Sequence, residues 1–506
     1  LFSAAFSRAA EKCENLSALK LPDTTITSAQ VVAAGAFASP TPAGNSAAVF
    51  KGLPAFCRVT AEIKPGNDSD IKIEVWMPVS GWNGRYRGIG NGGFAGSIGY
   101  PQLAIAVGAG DAAAATDTGH SGSPVDASWA LGHPERIVDF GYRAIHEMTL
   151  KAKAVMKAFY GEAQKHSYFG SCSNGGRQAL MEAQRYPEDY DGLIAGAPAY
   201  NWTHLLAGGV WNSQATLKDA ASYISPSKIP ALEAAVLAAC DSLDGVKDGI
   251  LNNPKSCSFD PASMLCKQGD SDSCLTAAQV TALKKIYSGT RNSKGQQILP
   301  GFLPGGEGGR NGWATWITGS APGKALAVSF GAGFMANMVF DDAKWDFKTF
   351  NFDSDMKRVD EKQAHNFNAT DPDLRAFKSH GGKLIIYHGW SDAGIPPQGA
   401  IDYFSSMARA VPQAGEFARL YMIPGMQHCS SGPGTDEFLE PGDPHRNMYL
   451  ALEQWVEKGI APGKLIASKK DDALGSPVKM TRPLCPWPQE SKYKGKGDAD
   501  DQANWE

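Results

Sequence analysis

No stretch of the 506-residue chain approaches the roughly 20 consecutive apolar residues that a membrane-spanning helix needs. Positive charge is not in excess either: 48 lysines and arginines face 52 aspartates and glutamates, for a net charge of −4, so there is no cationic field for a nucleic-acid backbone. Nucleic acid and membrane are therefore not expected as partners. Internal repeats and low-complexity tracts are absent; only the Lys-, Gly- and Asp-rich tail from Ser491 reads as loosely ordered. The chain also lacks an initiator methionine and a charged segment followed by a short apolar core, so Leu1 is expected to open a mature form whose signal peptide has been removed.

Cysteine, in contrast, is plentiful. Nine cysteines suggest an oxidising compartment, hence a secreted or periplasmic protein. Four pairs can be drawn, Cys13–Cys57, Cys240–Cys257, Cys266–Cys274 and Cys172–Cys429, which leaves Cys485 as the odd one. The last pair closes the longest loop and has a chemical consequence. Ser173 follows Cys172 and His428 precedes Cys429, and a disulfide holds its alpha carbons roughly 4.4–6.8 Å apart. A serine and a histidine would thus be clamped side by side. Four N-x-S/T triplets, at Asn15, Asn67, Asn201 and Asn368, would accept glycans only in a eukaryotic host.

Apolar alternation in Phe56–Ile63 and at Ile71, Ile73, Val75 and Met77 predicts half-buried strands opening an antiparallel edge. From residue 84 short apolar strands alternate with Gly-rich loops and helical stretches, including 139–159 before a strand at 167–170, which predicts a mostly parallel sheet in the α/β class. A helix from Arg177 to Tyr186, stopped by Pro187, then a strand at 193–195, continue the pattern. It resumes with strands at 383–388 and 419–423 and an amphipathic helix burying Met448, Leu452, Trp455 and Val456. Between these, residues 200–375 are Gly- and Trp-rich and carry four cysteines, far more than the ~2–6-residue connections usual in such sheets. They are expected to form an inserted lid on a catalytic domain of residues 1–199 and 376–506.

Gly170-Ser171-Cys172-Ser173-Asn174-Gly175-Gly176 places Ser173 on a strand-to-helix turn with small neighbours, the requirement of a nucleophile elbow. Ser171 stands where such elbows carry glycine, a conservative departure. A hydroxyl attacks only when a base takes its proton, and His428 follows a core strand at loop distance. Asp392, four residues beyond the strand ending at His388, can orient the imidazole; a capping aspartate is the alternative. The order Ser, Asp, His is that of an α/β-hydrolase. Backbone N–H groups of Asn174 and of Gly93, or its neighbour Gly92, are the expected oxyanion donors, since the run Gly90–Gly96 lets the backbone approach a substrate.

The Cys172-Ser173, Asp392 and His428-Cys429 elements resemble the CS-D-HC arrangement of the tannase and fungal feruloyl esterase family, which also includes the hydrolase of mono(2-hydroxyethyl) terephthalate. The likeness extends from the Gly-rich loop through the lid to the histidine. It implies an α/β-hydrolase core with a lid and a secreted serine carboxylesterase acting on small aromatic esters, such as plant cell-wall phenolic esters. Feruloyl esterase is the first expectation, tannase or terephthalate-monoester hydrolase the alternative. A secreted binding protein that keeps the fold without catalysis is the reading from a different class. Asp241, Asp244 and Asp248 form an acidic turn whose spacing is not that of an EF-hand and which, by itself, also suits a solvated turn. The resemblance implies a structural Ca2+ there, held by these three and the carbonyls of Val246 and Ile250, with no catalytic metal or organic cofactor. An aromatic acid calls for a flat apolar slot, for which Trp313, Trp316, Phe330, Phe334 and Trp345 are candidates, each of which is otherwise core of the lid, with at least one expected to face the triad. His388 is a further candidate for the substrate wall, or else a satisfied core histidine, and Arg310 could receive a substrate carboxylate.

Overall fold

The computed structural model describes residues 12–40, 47–471 and 476–506; the chain start at Leu1, read above as a mature terminus, lies outside them. Three strands, β1 (Thr24–Val32), β2 (Phe56–Ile63) and β3 (Ile71–Pro78), pair antiparallel at one edge. Alternation drives this: Val59, Ala61 and Ile63 of β2 are buried, and the residues between them are half-buried. Next come β4 (Arg85–Ile89), β5 (Ala112–Thr116), β6 (His166–Cys172) and β7 (Gly192–Gly196), whose β5–β4–β6–β7 ladder is parallel. A small hairpin of β8 (Thr290–Arg291) and β9 (Gln297–Leu299) stands apart. Strands β10 (Lys383–Gly389) and β11 (Ala418–Ile423) complete a nine-stranded sheet of order β1-β2-β3-β5-β4-β6-β7-β10-β11. The parallel strands are buried on both faces, as all five residues of β5 and of β7 illustrate. This mostly parallel sheet, with helices on its faces, is an α/β-hydrolase fold.

Helix Ala144–Tyr160 buries Ile145, Met148, Ala152, Val155 and Met156 at helical spacing and ends where Gly161 turns left-handed, at φ 76°. The segment expected to be helical from 139 opens with a π-helical turn, Asp139–Arg143. Between β7 and β10 the chain leaves the sheet for helices that include Trp202–Leu217, Ile229–Cys240, Ala277–Ser288, Leu326–Phe334 and Asp355–Phe367. Their apolar faces form two clusters. One, around Ile224, Leu232, Leu283 and Trp313, is drawn almost wholly from this segment. The other joins Trp202, Leu206, Phe334 and Phe367 to Phe94 and Phe140 of the preceding chain.

All four expected disulfides form, and Cys485 is free. No helix among the described residues is long and apolar enough to cross a membrane. The tail from Ser491 departs from expectation. Lys492 and Glu506 exchange backbone hydrogen bonds of 2.7 and 2.9 Å, and Trp505 is buried beneath the Arg482 guanidinium. A single buried tryptophan pins a segment whose polar composition suggested disorder. It lies beside a hairpin the sequence reading did not identify, β12 (Leu465–Lys470) with β13 (Val478–Leu484).

Candidate active site

Strand β6 ends at Cys172 and helix Asn174–Arg185 starts two residues later, leaving Ser173 alone in the turn at φ 66°, ψ −122°. Such a backbone costs about 1–3 kcal/mol and persists only where neighbours over-determine it. Here the Ser173 N–H donates to Gly196 O at 2.9 Å, and the Ser173 carbonyl accepts from Arg177 N and Ala199 N at 3.1 and 3.2 Å. Space is supplied by glycines: a Cβ at Gly175 would run into Ser171 Oγ, and one at Gly176 into the Gly196 carbonyl. Gly90 likewise faces the Ser171 side chain. The serine two residues before Ser173 is therefore accommodated by missing side chains opposite it.

His428 reaches the same turn from the loop after β11, its Nε2 2.9 Å from Ser173 Oγ. Its Nδ1 lies 2.9 and 3.1 Å from the two oxygens of Asp392. Asp392 is buried; Oδ1 also accepts the N–H groups of Gly394 and Ile395, both at 2.8 Å, and Oδ2 lies 3.0 Å from His388 Nε2. Burial alone would raise this carboxyl. The charge of His428 and hydrogen bonds from both histidines outweigh it and hold the group well below the usual carboxylate range. An ionised Asp392 fixes the proton of His428 on Nδ1, so Nε2 is free to accept from Ser173. Asn311 Nδ2 donates to the His428 carbonyl at 3.0 Å, and Asn311 Oδ1 accepts from Trp316 Nε1 at 3.1 Å.

The backbone N–H groups of Asn174, Gly92 and Gly93 have no acceptor among the described residues, and all three glycine-loop residues from Asn91 to Gly93 border the Ser173 cavity. Gly93 sits at φ 56°, where a Cβ would strike the Pro124 carbonyl. An amide pair missed in the sequence anchors this loop. Asn91 N donates to Gln178 Oε1 at 3.1 Å, while Gln178 Nε2 donates to Asn91 Oδ1 at 2.7 Å. Gln178 lies one helical turn beyond Asn174, so the only sequence signal was a polar residue on a helix otherwise committed to the core.

Cys172 and Cys429 are bonded with alpha carbons 5.9 Å apart. On the chain-entropy estimate a loop this long contributes about 5 kcal/mol. His428 is also held through Asp392, Asn311 and the adjacent Gln427, whose Nε2 donates to Gly308 O at 2.5 Å. Replacing both cysteines by alanine is expected to lower kcat about tenfold or more at a temperature where the variant is still folded, read from kcat beside a thermal melt. A loss of kcat no larger than the unfolded fraction would make the bridge purely structural.

A cavity of about 510 Å³ opens above Ser173 and His428, walled by Trp316, Phe330, Leu206, Leu299, Phe302 and, among polar side chains, Asn212. The Trp316 ring stands edge-on to His428 at 4.7 Å and nearly parallel to Phe330 at 6.1 Å; Phe330 in turn contacts Phe94 at 5.3 Å. Of the residues expected on a substrate wall, these two aromatics are there. Trp313 and Phe334 are not: each is wholly buried in one of the two apolar clusters. His388 is also off the wall, fully buried against Asp392 and the Ile395 carbonyl. Trp345 stacks on Phe340, and Arg310 is exposed outside the cavity lining.

The acidic turn lies elsewhere. Asp241 and Asp248 each accept one backbone N–H, from Gly249 and Ile250 at 3.0 and 3.1 Å, and Asp244 accepts two, from Val246 and Asn252 at 3.0 and 3.1 Å. Arg482 Nη2 donates to Asp248 Oδ2 at 2.7 Å. Burial, with the added charge of Asp248, raises the carboxyls of Asp241 and Asp244. Their carboxylates are hard oxygen donors of the kind Ca2+ takes, but the three do not bring one oxygen each to within 4.8 Å of the others.

Most of the chain is similar to known proteins. The family model described as tannase and feruloyl esterase matches residues 57–506. An uncharacterized esterase of Xanthomonas campestris pv. campestris is 41% identical over 98% of this chain and 91% of its own. The mono(2-hydroxyethyl) terephthalate hydrolase of Piscinibacter sakaiensis is 35% identical over 94% and 88%. The crystal structure of feruloyl esterase B from Aspergillus oryzae superposes with a TM-score of 0.88 at 30% identity, covering 98% of this chain and 99% of that one.

Proposed function

Because the chain belongs to the tannase and feruloyl esterase family, and is with it a carboxylic ester hydrolase, we propose that it is a secreted serine esterase cleaving hydroxycinnamate esters. The observation that carries this is the hydrogen-bonded line from Ser173 through His428 to Asp392 at the floor of an aromatic-walled cavity. Ser173 Oγ attacks the ester carbonyl while His428 Nε2 takes its proton. The negative charge that develops on the carbonyl oxygen is received by the N–H groups of Asn174 and Gly93. As the carbon–oxygen bond to the alcohol breaks, His428 returns the proton to the leaving oxygen. Water, deprotonated by the same imidazole, then attacks the acyl-enzyme and frees the acid. Asp392 orients His428 and stabilises its charged form throughout. Residues 200–375 serve as the lid, and the four disulfides support an oxidising, extracellular or periplasmic setting.

Cavity chemistry ranks the substrates. No lysine or arginine lines it, so the carboxylate of a terephthalate monoester would be buried without a cationic partner. Each extra gallate hydroxyl left unpaired costs about 1–3 kcal/mol. Methyl ferulate is therefore expected to exceed methyl gallate and a terephthalate monoester in kcat/KM by about tenfold or more. A generic short-chain ester cleaved faster than all three would remove the aromatic-slot reading.

Ca2+ is assigned to Asp241, Asp244 and Asp248 with the carbonyls of Val246 and Ile250; when bound it supplies charge neutralisation and rigidity, no chemistry. Adding Ca2+ to chelator-treated protein is expected to raise Tm by about a few degrees. Asp244→Asn should abolish that shift while leaving kcat at 25 °C unchanged. An equal shift in the variant would place the ion elsewhere.

A further inference from the structure

A second polar cluster lies further along the helix that Ser173 caps. Glu182, about two turns beyond Asn174, is 1% exposed, and neither of its carboxylate oxygens has a hydrogen-bond partner among the described residues. His146 comes from helix Ala144–Tyr160, and Asp189 from the turn leading into β7. One ligand atom from each of the three lies within 4.8 Å of the other two, the only such convergence of three His, Cys, Asp or Glu side chains among the described residues. His146 Nδ1 is 2.6 Å from Asp189 Oδ2, and its ring stacks on Tyr186 at 3.7 Å, which fixes the plane of the imidazole. We infer that His146, Glu182 and Asp189 form a binding site for a borderline divalent cation of the Zn2+ type, distinct from the acidic turn.

A buried carboxylate without a donor costs several kcal/mol, and apart from the Tyr86 hydroxyl, which has no hydrogen-bond partner among the described residues, the surrounding donors are otherwise engaged. The Lys153 ammonium donates to the backbone carbonyl of Asp189. Thr149 and Tyr190 hydrogen-bond to each other at 2.5 Å. Arg185 Nη2 donates to the His365 carbonyl. Asp191, whose Oδ2 accepts Ser167 N at 2.7 Å, adds more negative charge nearby. Burial and the neighbouring charge of Asp189 push the Glu182 carboxyl well above the usual carboxylate range, so a divalent cation that ligates it would take the place of that proton.

Donor chemistry selects the kind of ion. An imidazole nitrogen with two carboxylates suits Zn2+ or Mn2+, whereas Ca2+ takes oxygen donors. Two ligands of a tetrahedral Zn2+ stand roughly 3.3 Å apart for bonds of ~2.0–2.1 Å. The His146–Asp189 pair must therefore open by several tenths of an ångström while Glu182 closes inward, movements within reach of side-chain rotation. Entry is open on one side, since 23% of the His146 side chain is exposed. A bound ion would tie helix Asn174–Arg185 to helix Ala144–Tyr160 and to the turn before β7.

The test uses the full chain after chelator treatment, titrated with Co2+ and then Zn2+. The expected result is one equivalent of Co2+ with a visible ligand-field band that Zn2+ displaces and Ca2+ does not. His146→Gln, at the accessible edge of the cluster, removes the band, and Glu182→Gln, nearly isosteric, does the same. Zn2+ raises the Tm of the wild type and not that of H146Q. The proposal is overturned if no band forms, or if the band survives in H146Q. It is also overturned by a wild-type infrared carboxylic-acid C=O band that persists at saturating Zn2+ and is lost in E182Q, which would assign the space to a proton shared by Glu182 and Asp189.

Discussion

Ser173→Ala lowers kcat for methyl ferulate by about 10⁴- to 10⁶-fold, the range for removing a nucleophile from an intact triad, without loss of structure. Among the described residues Ser173 Oγ has one hydrogen-bond partner, His428 Nε2, and the backbone bonds to Gly196, Arg177 and Ala199 that hold the turn do not involve the side chain. Alanine inherits the same strained φ of 66°, so Tm should move by no more than about a degree or two. A fluorophosphonate should add to the wild type at Ser173, seen as one adduct by intact mass and mapped by peptide digestion, and should not add to the variant. Activity within tenfold of wild type, or an adduct on another residue, would displace Ser173 from its role.

Asp392→Asn is the second large effect, about 10⁴ in kcat by comparison with the serine-protease triad. The reason lies in hydrogen-bond polarity. Asp392 Oδ1 already accepts from Gly394 and Ile395, and Oδ2 faces both His388 and His428. An asparagine whose oxygen keeps the two backbone donors must turn its NH₂ toward the histidines. His428 then accepts on Nδ1 and carries its proton on Nε2, aimed at Ser173 instead of ready to receive. Stability should respond to pH as well. The Asp392 carboxyl is depressed on folding, so its contribution is complete above the unfolded value of about 3.9 and is lost as pH falls through the folded value. The stability difference between wild type and D392N, from urea melts at several pH values, is thus expected to be constant near neutrality and to shrink below about pH 4. A difference that grows in acid would reverse the assigned shift.

The sheet and the Ser173–Asp392–His428 line were legible because their signals are local: period-two alternation in β2, short buried runs in β6 and β10, and small residues around one turn. The cavity wall was not. Trp313 and Trp316 are separated by one turn of the same short helix, yet Trp313 is wholly buried and Trp316 faces His428. Composition marks both as aromatic and cannot say which side of that turn meets the cavity. Phe330 and Phe334 divide in the same way, and His388, four residues before Asp392, turns inward to the carboxylate. Nor could spacing show the Asn91–Gln178 pair, whose members lie 87 positions apart and meet only because β4 and β6 are neighbours. The tail misled for a related reason, since Trp505 finds its burial site at Arg482, in β13.

Phe330, on the cavity wall, touches Phe94, the residue next to Gly93, and Phe94 belongs to the same apolar cluster as Trp202, Phe334 and Phe367. Residues 200–375 and the Gly90–Gly96 loop are therefore packed together at Phe94, so one cannot be exchanged there while the other stays put. Swapping residues 200–375 between relatives to retune substrate preference would disturb the backbone at Gly93, beside Ser173, and on the proposed mechanism selectivity and turnover would change together. Engineering of this scaffold has to treat Phe94 as part of whichever cover it receives.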